Sequence, residues 1–188
     1  MTASARGMVL AIAAMVGVVA LANYTVQFPI NAWLTWGAII YPASFFVTDL
    51  ANRAYGIGGA RRVVYVGFVF GLLLSCALAP VRIAIASGTA FLVGQLLDIL
   101  VFDRLRRASW WKAPFVGSAT GSVIDTAIFF GIAFIGVMPF LPQPHGPSVT
   151  TLALGDLLVK LALALFFLAP FRALMNRIVP LAPASPAV

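Results

Sequence analysis

The sequence predicts an all-α integral membrane protein of six transmembrane helices, with both termini on the cytoplasmic side. Three observations carry this. Of 188 residues, 62% are hydrophobic and only 9% charged, against about 25% charged in a soluble domain. Six apolar segments approach or exceed the roughly 20 residues that span a hydrocarbon core. The cations, which give a net charge of +7, fall almost wholly in alternate connections.

The segments are residues 8–22, 30–50, 63–79, 81–102, 114–138 and 148–170, making one transmembrane domain over 1–170, followed by a cytoplasmic tail over 171–188. The first is the shortest. With Arg6 before it and Ala20-Leu21-Ala22 at its end, it imitates a secretory signal with a cleavage site. The second runs into Tyr41–Arg62, where Thr48, Asp49 and Asn52 mark the change from hydrocarbon to headgroup, and Arg61 and Arg62 close a glycine-rich turn at Gly56-Ile57-Gly58-Gly59. Thr48, Asp49, Asn52, Arg61 and Arg62 therefore read as a cytoplasmic gate or helix end, although Asp49 reads equally as an interface residue paired with Arg53 or Arg61. The third and fourth segments are joined by a very short link at Pro80. A proline-rich stretch over 139–147 separates the fifth from the sixth, and Pro180, Pro183 and Pro186 mark a disordered tail.

Orientation follows from the excess of Lys and Arg in short cytoplasmic connections. Arg6, Arg53, Arg61, Arg62, Arg104, Arg106, Arg107, Lys112, Arg172 and Arg177 fall on one side, Arg82 alone on the other, and Lys160 within the last segment. Cations placed this way are a topology signal and form no basic stripe for nucleic acid. The protein is expected as a multi-pass chain in contact with lipid.

Ionisable groups inside a span cost about 2.5–3.5 kcal/mol each on insertion scales, so they face a partner or a cavity. Asp125 and Lys160 lie near the centres of the fifth and sixth segments, Asp156 one turn from Lys160, and Gln95 and Asp98 in the inner half of the fourth. Helical spacing collects Ser87, Phe91, Gln95 and Asp98 on one face, and Ser118, Ser122, Asp125 and Phe129 on another with Thr126 beside them. Polar stripes interrupted by aromatics suit a flat, hydrogen-bonding solute. The bland readings are a structural Asp156–Lys160 pair and small-residue helix packing for Gly117 and Gly121. Asp125 has no basic neighbour within a turn, so it is hardest to explain structurally. With one histidine, one cysteine and no glutamate, the sequence offers neither a metal cluster nor a nucleophile with its base. It predicts no enzyme and no cofactor.

Several stretches occur in the order found in one family. They are Asn23-Tyr24-Thr25-Val26-Gln27, Thr35-Trp36-Gly37, Phe46-Val47-Thr48-Asp49-Leu50 and Ala60-Arg61-Arg62 in the first half. Gly94-Gln95-Leu96-Leu97-Asp98, Val101-Phe102-Asp103-Arg104-Leu105-Arg106, Trp110-Trp111, Ser122-Val123-Ile124-Asp125-Thr126 and Phe129-Phe130 follow. Asp156 and Lys160 then precede Phe166-Phe167-Leu168. Over residues 22–170 the chain resembles the queuosine precursor transporter family (VUT family), departing from it in the short link at Pro80 and in the tail. The resemblance implies import of 7-deazaguanine bases such as preQ0 and preQ1 across the bacterial inner membrane for tRNA modification. It also implies six helices, a relation to the substrate-binding subunits of energy-coupling-factor vitamin transporters, and retention of the first helix.

A guanine-like edge presents N1–H and an amine as adjacent donors and O6 as acceptor. Asp125, or else Asp98, is expected to accept the donors, and Gln95 or Asn23 to meet O6. Trp36, Phe45, Phe46 or Phe129 would sandwich the ring, with Ser122 and Thr126 beside it and Lys160, held by Asp156, positioning the acids. Two alternatives stay open: a binding subunit served by a separate ATPase, and a membrane scaffold that transports nothing. Whether the chain forms a homodimer also stays open.

Overall fold

The computed structural model describes residues 3–31, 33–136 and 147–177, with side chains from residue 5 onward. Helix α1 covers Ala3–Thr25, and a small antiparallel hairpin follows, β1 (Pro29–Asn31) and β2 (Leu34–Thr35), with Pro29 opposite Thr35. Helices α2 (Trp36–Ile40), α3 (Ala43–Leu78), α4 (Val81–Leu105), α5 (Lys112–Ala133) and α6 (Val149–Met175) complete the chain. Among the described residues five stretches are long and apolar enough to cross a membrane, with α2 and α3 counted as one of 43 residues.

Three boundaries differ most from the sequence reading. The helix expected from residue 30 begins at Trp36, because Thr35 caps it: its Oγ1 accepts from the Ala38 N–H at 3.3 Å. Residues 29–35 form the hairpin instead, a small departure from an all-α chain. The connector expected over Gly56–Gly59 is far shorter, since helical structure resumes at once after Gly56. The fifth helix also ends at Ala133, before the residue 138 expected. The proline-rich stretch up to residue 146, including His145, and the tail beyond residue 177 lie outside the described residues.

Gly56 stands at φ 70, ψ −174, a region open essentially to glycine alone. The chain doubles back there. Gly37 is pressed on Ala22 and Val26 near the end of α1, while Tyr55 meets Gly7 near its start, so 36–55 runs antiparallel to α1. After Gly56 the direction inverts, with Gly59 against Met8, Gly67 against Met15, Gly71 against Val19 and Ser75 bonded to Asn23.

Helices α4 and α5 approach most closely. A β-carbon on Gly94 would lie 2.9 Å from Asp125 Cβ, and one on Gly121 would lie 2.7 Å from the Gly94 carbonyl oxygen. Close backbone approach through small residues is the usual way helices associate where no hydrophobic force drives them together. Helix α6 closes the bundle through Phe171 on Phe102 and Phe167 stacked on Phe46 at 5.0 Å.

The distribution of side chains suits lipid outside. Leu10, Leu73, Val81, Leu158 and Phe166 are at least 65% exposed, whereas Thr48, Asn52, Gln95 and Asp98 are wholly buried. Apolar outside and polar inside inverts the soluble pattern.

Candidate functional site

The bundle encloses a cavity of about 370 Å³, within the ~300–1,000 Å³ usual for small-molecule sites. Its rim is Gln27, Trp33 and Thr35 from the hairpin region with Ala79 and Phe134 from other helix ends, so it opens at the end of the bundle that carries Arg82. Aromatic side chains make much of its wall, among them Phe68, Phe91, Phe129 and Phe130.

Its floor is a charged knot built from three helical regions. Lys160 Nζ donates to Asp125 Oδ2 at 2.6 Å, to Asp156 Oδ2 at 2.5 Å and to Thr126 Oγ1 at 3.0 Å. Those bonds use all three ammonium protons. Thr126 Oγ1 donates to Asp156 Oδ2 at 2.7 Å, and the Tyr41 hydroxyl donates to Asp125 Oδ1 at 2.6 Å. Lys160 and Asp125 are nearly sealed, at 4% and 3% side-chain exposure, but Asp156 keeps 18%. Two carboxylates against one ammonium leave the floor acidic by one formal charge. Higher up, Asn23 Oδ1 accepts from Ser75 Oγ at 2.7 Å and Asn23 Nδ2 donates to the Val19 carbonyl at 2.9 Å. One Asn23 amide proton is left for a solute.

Beneath the floor a second polar layer is closed on itself. Thr48 Oγ1 donates to Gln95 Oε1 at 2.5 Å, and Gln95 Nε2 donates to Ser44 Oγ at 2.8 Å. A third layer lies toward the cation-rich end. There Ser118 Oγ donates to Asp49 Oδ2, Asn52 Nδ2 donates to the Ile99 carbonyl, and Arg106 Nη2 donates to the Asn52 carbonyl at 2.8 Å.

Of the residues singled out by sequence, Asn23, Asp125, Phe129, Asp156 and Lys160 line the cavity, and Thr126 braces its floor. The Asp156–Lys160 pair exists as expected, but Lys160 also holds Asp125, a partner 35 residues away that helical spacing cannot reveal. Gln95 and Asp98 are wholly buried outside the cavity. Gln95 spends its amide on Thr48 and Ser44, so it meets no solute in this conformation. Phe45, Phe46 and Ser122 border a separate small void beside α6, and Trp36 is 53% exposed while Trp33 takes the place on the rim. Asp49 is bonded to Ser118 and ion-paired with neither Arg53 nor Arg61, because it is buried among α4 and α5. Arg61 and Arg62 are exposed and lie within α3, five and six residues past the reversal at Gly56, not at the end of a helix. Sequence reasoning missed the bond of Tyr41 to Asp125, and it passed over Trp33 and Ser75. Among the described residues no group of three His, Cys, Asp or Glu side chains converges to hold a metal ion.

An apolar shell, a polar interior and a deep solute-sized cavity define a multi-pass membrane transport protein. Comparison with known proteins gives the particular family. A family model described as "Putative vitamin uptake transporter" matches residues 35–81 and 76–175. The two matches meet at the short link around Pro80. A queuosine precursor transporter of Escherichia coli (strain K12) is 33% identical, over 85% of this chain and 82% of its own length. A probable queuosine precursor transporter of Haemophilus influenzae is also 33% identical, over 81% of this chain and 79% of its own. A third, from Bacillus subtilis, is 27% identical over 78% and 73%. No solved structure matches. The chain belongs to the queuosine precursor transporter family, whose members are named as transporters and not as enzymes.

Proposed function

We propose that the protein imports queuosine precursors, 7-deazaguanine bases such as preQ0 and preQ1, across the bacterial inner membrane for tRNA modification. The observation that carries the reading is the Tyr41–Asp125–Lys160–Asp156 knot at the foot of an aromatic cavity. Both Asp125 oxygens already hold one bond, yet a carboxylate has about four lone-pair sites. Asp156 is the more accessible of the two acids. Together they can accept N1–H and the exocyclic amine of the base, while the free Asn23 amide proton meets O6 and Phe129 and Trp33 flank the ring. The formal negative charge of the floor also suits preQ1, whose aminomethyl group is cationic. In this reading Asp125 and Asp156 bind the base, and Lys160 and Tyr41 hold the acids apart and aimed.

Six crossings with both termini cytoplasmic accompany the reading. The 43 residues of α2 and α3 would measure about 65 Å as one helix, twice a ~30 Å hydrocarbon core. The reversal at Gly56 divides them into two spans. The cavity then opens outward and the arginine-rich end faces the cytoplasm. Thr48, Asp49 and Asn52 lie between the cavity and that end, as an inner gate would.

The test is queuosine content of tRNA in a strain that cannot synthesise precursors, fed micromolar preQ0 or preQ1. Restoration by the wild type but not by Asp125→Asn or an empty vector is expected. No restoration by wild-type protein shown to be in the membrane would sink the assignment and leave a non-transporting scaffold.

A further inference from the structure

The third polar layer contains two carboxyl groups that the binding of a base leaves unused. Asp98 is wholly buried and Asp49 is 3% exposed. Both press on one turn of α5. Ser118 Oγ donates to Asp49 Oδ2 at 3.0 Å, and the adjoining Gly117 admits Asp98 so closely that a β-carbon there would lie 2.5 Å from Asp98 Oδ1. A β-carbon on Gly121, one turn on, would lie 3.2 Å from Asp98 Cβ. Of the four carboxyl oxygens, Asp49 Oδ1 and both of Asp98 are buried without a hydrogen-bond partner.

No cation neutralises them. Among the described residues the ion pairs join Lys160 to Asp125 and Asp156, and Arg106 to Asp103. From α6, Lys160 borders the same small void as Asp49, but its three protons are spent on the cavity floor. From α4, Arg106 is held by Asp103 and Asn52, and Arg53, four residues along α3 from Asp49, forms no ion pair with it. Apart from Lys160, the void beside Asp49 is lined by uncharged side chains, Ser118 and Ser122 among them. Two adjacent carboxylates without a cation, far from water, repel each other and lack solvation. A proton on one of them removes the repulsion and supplies the missing donor. A hydrated metal cation has no room, since the void beside Asp49 measures about 10 Å³, and a single water already needs ~10–15 Å³.

We propose that Asp49 and Asp98 form a proton-binding site that couples uptake to the proton gradient, one proton entering with each base. The inference rests on the transport reading above. A proton from outside bonds to a carboxylate oxygen of the pair, and that O–H bond breaks toward the cytoplasm when the base is released. Lys160 borders both the cavity and the void at Asp49, so a base that pulls on Asp125 or Asp156 disturbs the wall of the proton site.

The test uses the full-length protein in proteoliposomes with labelled preQ0, which is uncharged, so that the proton is the only charge moved. With acid outside and the membrane potential held at zero by potassium and valinomycin, wild-type protein should concentrate preQ0 by up to about tenfold per pH unit, the limit for one proton per base at 1.4 kcal/mol per decade. An internal pH dye should report proton entry on addition of preQ0. For Asp98→Asn and Asp49→Asn, the ratio of uptake with and without the gradient should fall to one, at whatever absolute rate remains. Wild-type uptake indifferent to the pH gradient, or driven instead by sodium, would overturn the proposal, as would variants that retain the wild-type ratio. Absence of any preQ0 uptake or exchange by wild type would overturn the transport reading itself, and this proposal with it. The wild-type dye signal decides whether a proton is coupled to the base, and the ratio in whichever of the two variants folds decides whether this pair carries it.

Discussion

At the scale of single residues, Lys160 carries the greatest electrostatic burden. It pairs with both Asp125 and Asp156 and offsets one of their two charges in a site nearly closed to water. Replacing it by methionine keeps the length of the side chain but strands Asp125 and Asp156. Removing one partner of a buried ionic cluster costs about 3–5 kcal/mol, so Lys160→Met should melt well below the wild type in detergent. Tyr41→Phe is milder. It removes one hydrogen bond to a charged acceptor, worth about 1.5–3 kcal/mol, without leaving a bare charge. Its thermal shift should therefore be smaller than that of Lys160→Met. An equal loss in both variants would mean that Lys160 does not carry the ionic cluster. Asp125, which in sequence looked like an acid without a partner, owes its place to both residues.

At the scale of elements, Gly56 is the position where local conformation decides long-range order. Its φ of 70 and ψ of −174 let one continuous helical stretch fold into two antiparallel arms. An alanine there would cost about 1–3 kcal/mol in backbone strain. Gly56→Ala should lower the melting temperature, whereas Gly58→Ala should not, because a β-carbon on Gly58 meets nothing within 4 Å. Equal stability of the two variants would show that the reversal does not depend on Gly56. The sequence pointed to the glycine-rich run but not to which glycine turns the chain. A run of several glycines fits many turns, and tight packing of Tyr55 over Gly7 and Gly59 chooses among them.

At the scale of the whole molecule, the arrangement predicts which surfaces face which compartment. After replacement of Cys76 by serine, Arg82→Cys should react with a membrane-impermeant maleimide added to intact cells. Arg107→Cys should react only after the membrane is opened. The reverse pattern would place the cavity mouth toward the cytoplasm and overturn the proposed orientation. Both positions are exposed at opposite ends of the bundle.

The sequence alone determined what depends on composition and on short-range order. The apolar segments, the side on which cations gather and the few polar groups that must face inward follow from solvation cost, which each segment bears by itself. Asp125, Asp156 and Lys160 stood out as candidates for that reason, and they line the cavity together with Phe129, from the face of Asp125, and Asn23, from a stretch shared with the family. Tertiary structure decided which of the buried polar groups meet. Gln95 and Asp98 carry the same sequence signal as Asp125, yet contacts between residues dozens of positions apart turn Gln95 into a closed lock with Thr48 and Ser44. The same kind of contact leaves Asp98 beside Asp49 with no partner for either of its oxygens. Helical periodicity assigns a residue to a face of its own helix. Only the close approach of α4 and α5 through Gly94, Gly117 and Gly121 settles what that face touches.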